Sequence, residues 1–269
     1  MEAGSLASSG VDDDAAVTVQ VDDSTLWLSI NRPEALNAIS NEVITLLQAG
    51  LDRAESDSHI SAVVLTGVGR GFCAGADLKA VNGSSASSNE FRRLFGEVLN
   101  RIEAFDKPVI AAVNGVAMAG GFELVLCCDL VIAAESARLG DGHANYGLLP
   151  GGGGSVRLPR RIGRNRALEM LYTGDLFAAS QLASWGLINH VVPDAQLQKE
   201  VARLAARLAD RSSLGIARMK RLVRDTAEQT IATGLSLELL YSALHEKSHD
   251  MNEGVRAFVE KRQPNFNGS

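Results

Sequence analysis

The sequence predicts an α/β core followed by a helical C-terminal region, and three observations carry that expectation. Short apolar runs of strand length (VTVQVDD, TLWLSIN, AVVLTG, PVIAAVNG and CDLVIAAE), rich in Val and Ile, recur through the first half. Two of them open into turns of glycine and alanine, GVGRGFCAGADL and VAMAGG, rather than into polar loops. Beyond Gly154, amphipathic helical spacing takes over with little strand of its own, leaving a helical third to pack on the core or on another subunit.

Residues 1–16, MEAGSLASSGVDDDAA, are small, polar and acidic and read as a disordered leader. They carry neither the basic start of a signal peptide nor the arginines of a transit peptide. Val17 to Val21 alternates as a strand and Thr25 to Asn31 resumes it, with the polar DDS segment marking a hairpin. Pro33 ends that strand. From Asn41, an N-cap residue type, Val43, Leu46, Leu47 and Leu51 recur at helical spacing to Ala54. Ala62 to Gly67, Pro108 to Gly115 and Cys128 to Glu135 read as buried strands, and a helix starts near Gly120, so the repeated unit is strand, glycine turn, helix. Helical runs then cover Arg164 to Tyr172, Ala178 to Trp185, Ala195 to Ala209, Ser213 to Thr233 and Ser236 to His249. The predicted division is an α/β core over residues 17–200 and a helical region over residues 201–269.

The composition narrows the function classes. A chain of 269 residues, 46% hydrophobic and 22% charged, falls among soluble globular proteins of one or two domains. A net charge of -6 disfavours nucleic acid or an anionic membrane as the main partner. No apolar run reaches the roughly 18 residues of a membrane span. Cys73, Cys127 and Cys128 are odd in number, lack metal-type spacing and include an adjacent pair that makes no routine bridge. They predict a reducing, cytoplasmic setting, packing rather than nucleophilic roles, and no metal site.

The glycine loops are the first candidate chemistry. Gly69, Gly71 and Ala74 have the G-x-G-x-x-A spacing of a dinucleotide loop, but one such loop is a weak signal. Gly151 to Gly154 lacks the Gly-Lys-Ser/Thr ending of a phosphate loop. The turns at Cys73 to Asp77 and Met118 to Gly121 are small enough for a ligand to approach the backbone, so two peptide N–H groups can converge on a developing oxyanion. The plainer reading is that their glycines permit tight turns and close packing. Glu123, alone in the apolar stretch AMAGGFELVLCCD, is either a buried proton-transfer group or a carboxylate paired with an arginine or capping the helix that begins near Gly120.

Taken in order, NRPEALNA, GFCAGADL, KPVIAAVNGVAMAGGFELVLCCDLVIAAESARLG, LPGGGG, YTGD, WGLINHVV and FVEKRQPNF resemble the enoyl-CoA hydratase/isomerase or crotonase superfamily over nearly all of Val17 to Phe266. The resemblance implies a crotonase-like spiral of strand-strand-helix turns with a helical trimerisation region, assembled as homotrimers or dimers of trimers. It implies an acyl-coenzyme A thioester as substrate, with coenzyme A entering as part of the substrate and no other cofactor. The matching oxyanion positions are Ala76 and Gly120. Coenzyme A contacts carry over to Arg32, Ala35, Ala74, Asp77 and Leu78, and to Phe258 and Lys261, which reach a bound coenzyme A from a neighbouring subunit in some members. Glu123 matches one of the two catalytic glutamates of the hydratases.

The departure from that pattern lies in GDGHANYGLLPGGGG, where position 143, expected to hold the second glutamate, is His143. A neutral imidazole is a competent base near neutral pH, so Glu123 and His143 together predict a hydro-lyase variant. The plainer reading of His143 is a hydrogen-bonded residue shaping the pocket, paired to Asp141. Two further chemistries stay open: double-bond isomerisation by one carboxylate, or a carbon–carbon hydrolase like the branch acting on cyclic diketones, which has histidine here but an aspartate in the glycine turn. A catalytically impaired coenzyme A-binding or RNA-binding relative is a further class. Asn145 and Tyr146 are candidate pocket-lining residues.

Overall fold

The computed structural model describes residues 14–77 and 85–269. In chain order the first half runs β1 (Val17–Asp22), β2 (Thr25–Ile30), α1 (Asn41–Ser56), β3 (Ala62–Gly67), β4 (Gly71–Cys73), α2 (Ser85–Ala104), β5 (Val109–Val113), β6 (Val116–Met118) and α3 (Gly120–Cys127). There follow β7 (Leu130–Ala134), β8 (Arg138–Gly140), α4 (Gly154–Ile162), α5 (Arg164–Thr173), β9 (Phe177–Ala178), α6 (Ala179–Ser184) and β10 (His190–Val192). The chain closes with α7 (Leu197–Ala209), α8 (Ser213–Thr226), α9 (Ile231–His245) and α10 (His249–Glu260).

Two sheets result, one ordered β1-β2-β3-β5-β7-β10 and the other β4-β6-β8-β9. β1 and β2 pair antiparallel, whereas β2, β3, β5, β7 and β10 are mutually parallel, as are β4, β6 and β8. The pairs β3/β4, β5/β6 and β7/β8 each lay a longer strand in the first sheet and a three-residue strand in the second before a helix returns the chain. All five residues of β5 are buried, as a parallel strand covered on both faces requires. α1 buries Val43, Ile44, Leu47, Leu51 and Ala54, one stripe of a 3.6-residue period.

Several details differ from the sequence reading. Ser40, not Asn41, caps α1: its extended backbone lets Oγ accept the Val43 N–H at 3.3 Å. The glycine loops contain β4 and β6, strands too short to show a period. The run Ser213 to Thr233 is two helices, because Thr230 takes an extended conformation and its hydroxyl accepts the Thr233 N–H, starting α9 afresh. The helical third carries β9 and β10. A boundary after residue 200 falls inside α7, whose Leu197, Val201 and Ala205 are buried on the main sheet. Of the expected leader, residues 1–13 lie outside the described residues, while Ala16 is buried and its carbonyl accepts the Asn31 N–H at 2.8 Å. Among the described residues, no helix is long and apolar enough to cross a membrane.

The C-terminal helices are moored to the core by a half-buried ion pair. Lys220 Nζ of α8 meets Asp129 Oδ2 at 2.7 Å, and the same oxygen accepts the Val109 N–H at 2.8 Å, joining α8 to the start of β5.

Candidate active site

Two backbone turns meet where β4 and β6 end. Ile39 donates to the Gly75 carbonyl at 2.8 Å and accepts from the Asp77 N–H at 2.9 Å, a bridge that turns the Ala76 N–H away from Ile39. Gly75 has φ +101°, and a Cβ there would lie 3.0 Å from Ala119 Cβ and 3.3 Å from the Gly120 nitrogen. The two turns are thus in contact, with room only for glycine. A Cβ on Gly121 would come within 2.1 Å of the Cys73 carbonyl oxygen, so the first turn of α3 packs directly against the end of β4. Buried Asn37 holds the approach: its Oδ1 accepts the Arg32 N–H at 2.9 Å, and its Nδ2 donates to the Val68 and Gly71 carbonyls at 3.0 and 2.7 Å. Between β6 and α3, Ala119 adopts φ 49°, ψ -119°, a glycine region held here by an alanine.

All eight residues of α3 are buried, Glu123 among them at 2% exposure. Its Oε1 accepts the N–H groups of Gly152 and Gly154 at 2.7 and 2.9 Å, so the carboxylate sits at the N-terminus of α4, where negative charge is favoured. The sequence reading has Glu123 capping the helix that begins near Gly120; the carboxylate instead caps α4. Among the described residues it has no arginine partner; Oε2 is unbonded yet not sealed off. Burial pushes the carboxyl pKa up, against the pull of the two backbone N–H groups and the His143 charge, and the Asp141 charge adds to the rise. The GGGG segment thus binds an anion after all, one supplied by the chain. Arg157 secures it, with Nη1 on the Gly152 carbonyl at 2.7 Å and Nη2 on Glu103 at 2.8 Å.

His143 follows β8 in a short turn. Its Nδ1 lies 3.0 Å from Asp141 Oδ1, which also accepts the His143 backbone N–H at 3.2 Å. Burial depresses the imidazole pKa, but the Asp141 hydrogen bond and the Asp141 and Glu123 charges outweigh it, so the net shift is upward. Asp141 is 1% exposed and its Oδ2 is buried without a hydrogen-bond partner, the only such side-chain atom found among the described residues.

Glu123 and His143 line one cavity of about 220 Å³ with Ala74, Ala76 and Gly120. Phe91, Phe95, Met118, Leu148 and Leu149 form its apolar wall, and Tyr146 and Arg92 also line it. Sequence reasoning identifies Tyr146 but misses the wall, because Phe91 and Phe95 lie on α2, a helix absent from the sequence reading. Asn145 turns instead to the Gly174 carbonyl, 2.9 Å away. Of the expected coenzyme A contacts, Arg32 and Asp77 form an ion pair at 2.9 Å, and Arg32 also reaches the Ala38 carbonyl. Ala35 closes the short turn before Leu36, and Leu78 lies outside the described residues. Phe258 and Lys261, at the end of α10, do not line the cavity of the single chain. All three cysteines are buried, and burial pushes the Cys73 and Cys127 thiols up to about 12, as packing residues require. Among the described residues, no cluster of His, Cys, Asp or Glu is arranged to hold a metal ion.

The family model for enoyl-CoA hydratase/isomerase matches residues 21–269. The chain belongs to this family. It is 36% identical over 252 residues to the crotonyl-CoA hydratase of Syntrophomonas wolfei, covering 93% of this chain and 97% of that one. It is 38% identical over 253 residues to the 1,2-epoxyphenylacetyl-CoA isomerase of Escherichia coli, covering 92% and 97%. The enoyl-CoA hydratase structure from Bacillus anthracis superposes with a TM-score of 0.91 at 34% identity, over 94% of this chain and 100% of that one. The crotonase fold and an enzyme of enoyl-CoA hydratase type, both expected from the resemblance, follow from these matches.

Proposed function

We propose that the protein adds water to an α,β-unsaturated acyl-CoA, with its thioester oxygen between the Ala76 and Gly120 N–H groups. The observation that carries this reading is the split use of the Glu123 carboxylate: Oε1 is anchored by two backbone donors while Oε2, in a cavity shared with His143, has no hydrogen-bond partner among the described residues. In the forward reaction Glu123 Oε2 takes a proton from water as the water oxygen bonds to the beta carbon. The double-bond electrons move toward the thioester oxygen, where two preorganised N–H donors stabilise the enolate; each is worth about 3 kcal/mol. His143, as imidazolium, then gives its Nε2 proton to the alpha carbon, and the proton on Glu123 returns to His143 through solvent. One water is consumed and no proton is gained or lost. The upward shifts suit both roles, since they strengthen Glu123 as a base and keep His143 protonated closer to neutral pH.

Coenzyme A arrives with the substrate, its adenosine end near the Arg32, Ala35, Ala74, Asp77 and Leu78 segment, and the reading needs no other cofactor. A homotrimer or dimer of trimers completes the site. α9 buries none of its residues in the single chain and exposes Ile231, Leu235, Leu239 and Leu240, a face suited to subunit contact. In such an assembly Phe258 and Lys261 serve a neighbour's coenzyme A. A cytoplasmic setting suits three buried, unpaired thiols.

The test is steady-state loss of the conjugated enoyl absorbance with crotonyl-CoA, with water incorporation checked by product mass. Turnover supports hydration. Silence with crotonyl-CoA, together with conversion of a β,γ-unsaturated acyl-CoA into the conjugated isomer, would replace it with isomerisation, and cleavage of a cyclic diketone would replace it with carbon–carbon hydrolysis.

A further inference from the structure

Asp141, an acid directly after β8, is almost fully buried, and among the described residues one of its oxygens has no hydrogen-bond partner. A carboxylate that merely closed a turn would share both oxygens with donors or leave one in water, because a buried unpaired oxygen is costly. Asp141 does neither. Its Oδ1 collects the His143 backbone N–H and the ring Nδ1, at 3.2 and 3.0 Å. Its Oδ2 points toward the start of α4: a Cβ on Gly154 would lie 3.0 Å from Asp141 Oδ2 and 3.3 Å from Glu123 Oε1. Two carboxyl groups thus flank one glycine, with the His143 imidazole, bonded to Asp141, as the basic group beside them. The other polar groups lining the cavity with His143 are Arg92 and Tyr146, while Arg157 acts from behind Gly152.

We infer that Asp141 is a positioning residue: by accepting Nδ1–H it fixes the ring orientation of His143, keeps the imidazole protonated, and leaves Nε2–H facing the acyl chain. Nε2 has no hydrogen-bond partner among the described residues and is not sealed from the cavity, as a proton donor to substrate requires. The inference deepens the hydration reading and rests on it for the destination of the proton, but not for the protonation state of His143.

The test therefore has two arms. In the kinetic arm, Asp141→Asn lowers kcat by up to about 10⁴-fold, the scale seen when an acid that orients a catalytic histidine becomes an amide, with KM for crotonyl-CoA nearly unchanged. The basic limb of its pH profile moves to lower pH, since the charge that holds the imidazole proton is gone. In a His143→Ala background the same substitution changes nothing further. In the second arm, histidine NMR of the ligand-free wild-type protein shows a hydrogen-bonded Nδ1–H on His143, and the ring loses its proton at higher pH than in Asp141→Asn. An unmoved basic limb, an equal loss of kcat in the His143→Ala background, or a wild-type His143 without Nδ1–H overturns the inference. If wild type fails to hydrate crotonyl-CoA while the NMR arm behaves as described, the hydration reading fails and the Asp141–His143 pairing stands. The NMR measurement on wild type decides the matter even if Asp141→Asn does not fold.

Discussion

Replacing Glu123 by glutamine separates the carboxylate's chemistry from its structural duty. The amide has the same shape, and its oxygen can take over the Gly152 and Gly154 N–H bonds, now 2.7 and 2.9 Å long. What disappears is the free oxygen's ability to accept a proton. Loss of a general base costs about 10²–10⁴-fold in kcat, or about 3–5 kcal/mol at 1.36 kcal/mol per decade. Glu123→Ala also strands two buried donors, at about 1–3 kcal/mol each, so it is destabilised by about 2–6 kcal/mol where the glutamine variant is not. Steady-state rates with crotonyl-CoA and thermal melting of both variants make the comparison. The expected pattern is two nearly inactive proteins, of which the glutamine form melts at or above wild type, because it no longer buries a charge, and the alanine form melts several degrees lower. A glutamine variant within about tenfold of wild-type kcat would refute the assignment of Glu123 as base, since that leaves less than 1.4 kcal/mol for the proton transfer.

Four more outcomes follow from the same geometry. The pH profile of kcat/KM is a bell: its acid limb, where Glu123 becomes protonated, lies above the ordinary glutamate range, and its basic limb, where His143 loses its proton, lies above the ordinary histidine range. Glu123→Gln removes the acid limb and His143→Gln the basic one, and a profile flat across both ranges in wild type would contradict the two roles. Gly121→Ala forces a Cβ to within 2.1 Å of the Cys73 carbonyl oxygen, so the protein is recovered insoluble or with a sharply lowered melting temperature. Arg157→Met uncouples the Gly152 carbonyl from Glu103 and lowers stability by about 1–3 kcal/mol in thermal melts, with a further loss of kcat as the Glu123 cradle loosens. Leu239→Glu, on the exposed face of α9, shifts the mass measured by light scattering from an oligomer to a monomer.

How much of this is legible in the sequence depends on length scale. β3 is read to the residue from AVVLTG, because six consecutive positions with little or no exposure leave a clear apolar run between breaks. β4, β6 and β8 have three residues each, and no periodicity survives in so short a piece. The second sheet is therefore invisible until the chain is folded. At the site, the small-residue turns mark a place where little side chain covers the backbone, but their contact at Gly75 and Gly120 is a tertiary fact. Asp141 and His143, two positions apart, suggest their pairing locally. The anchoring of Glu123 by Gly152 and Gly154 spans 29 and 31 residues, and its buttress from Glu103 to Arg157 spans 54; neither has a local signature.

The bend at Ala119 carries one further consequence. With a methyl group in a backbone region that glycine occupies freely, the peptide leading to Gly120 has few neighbouring conformations to drift into, and its conformational cost of about 1–3 kcal/mol is met by surrounding packing. A glycine there would make the chain more pliant and let that amide wander between turnovers. The stiffness of a single joint, set when the protein folds, thus governs how constant the direction of that amide is, which is what the proposed oxyanion role demands of it.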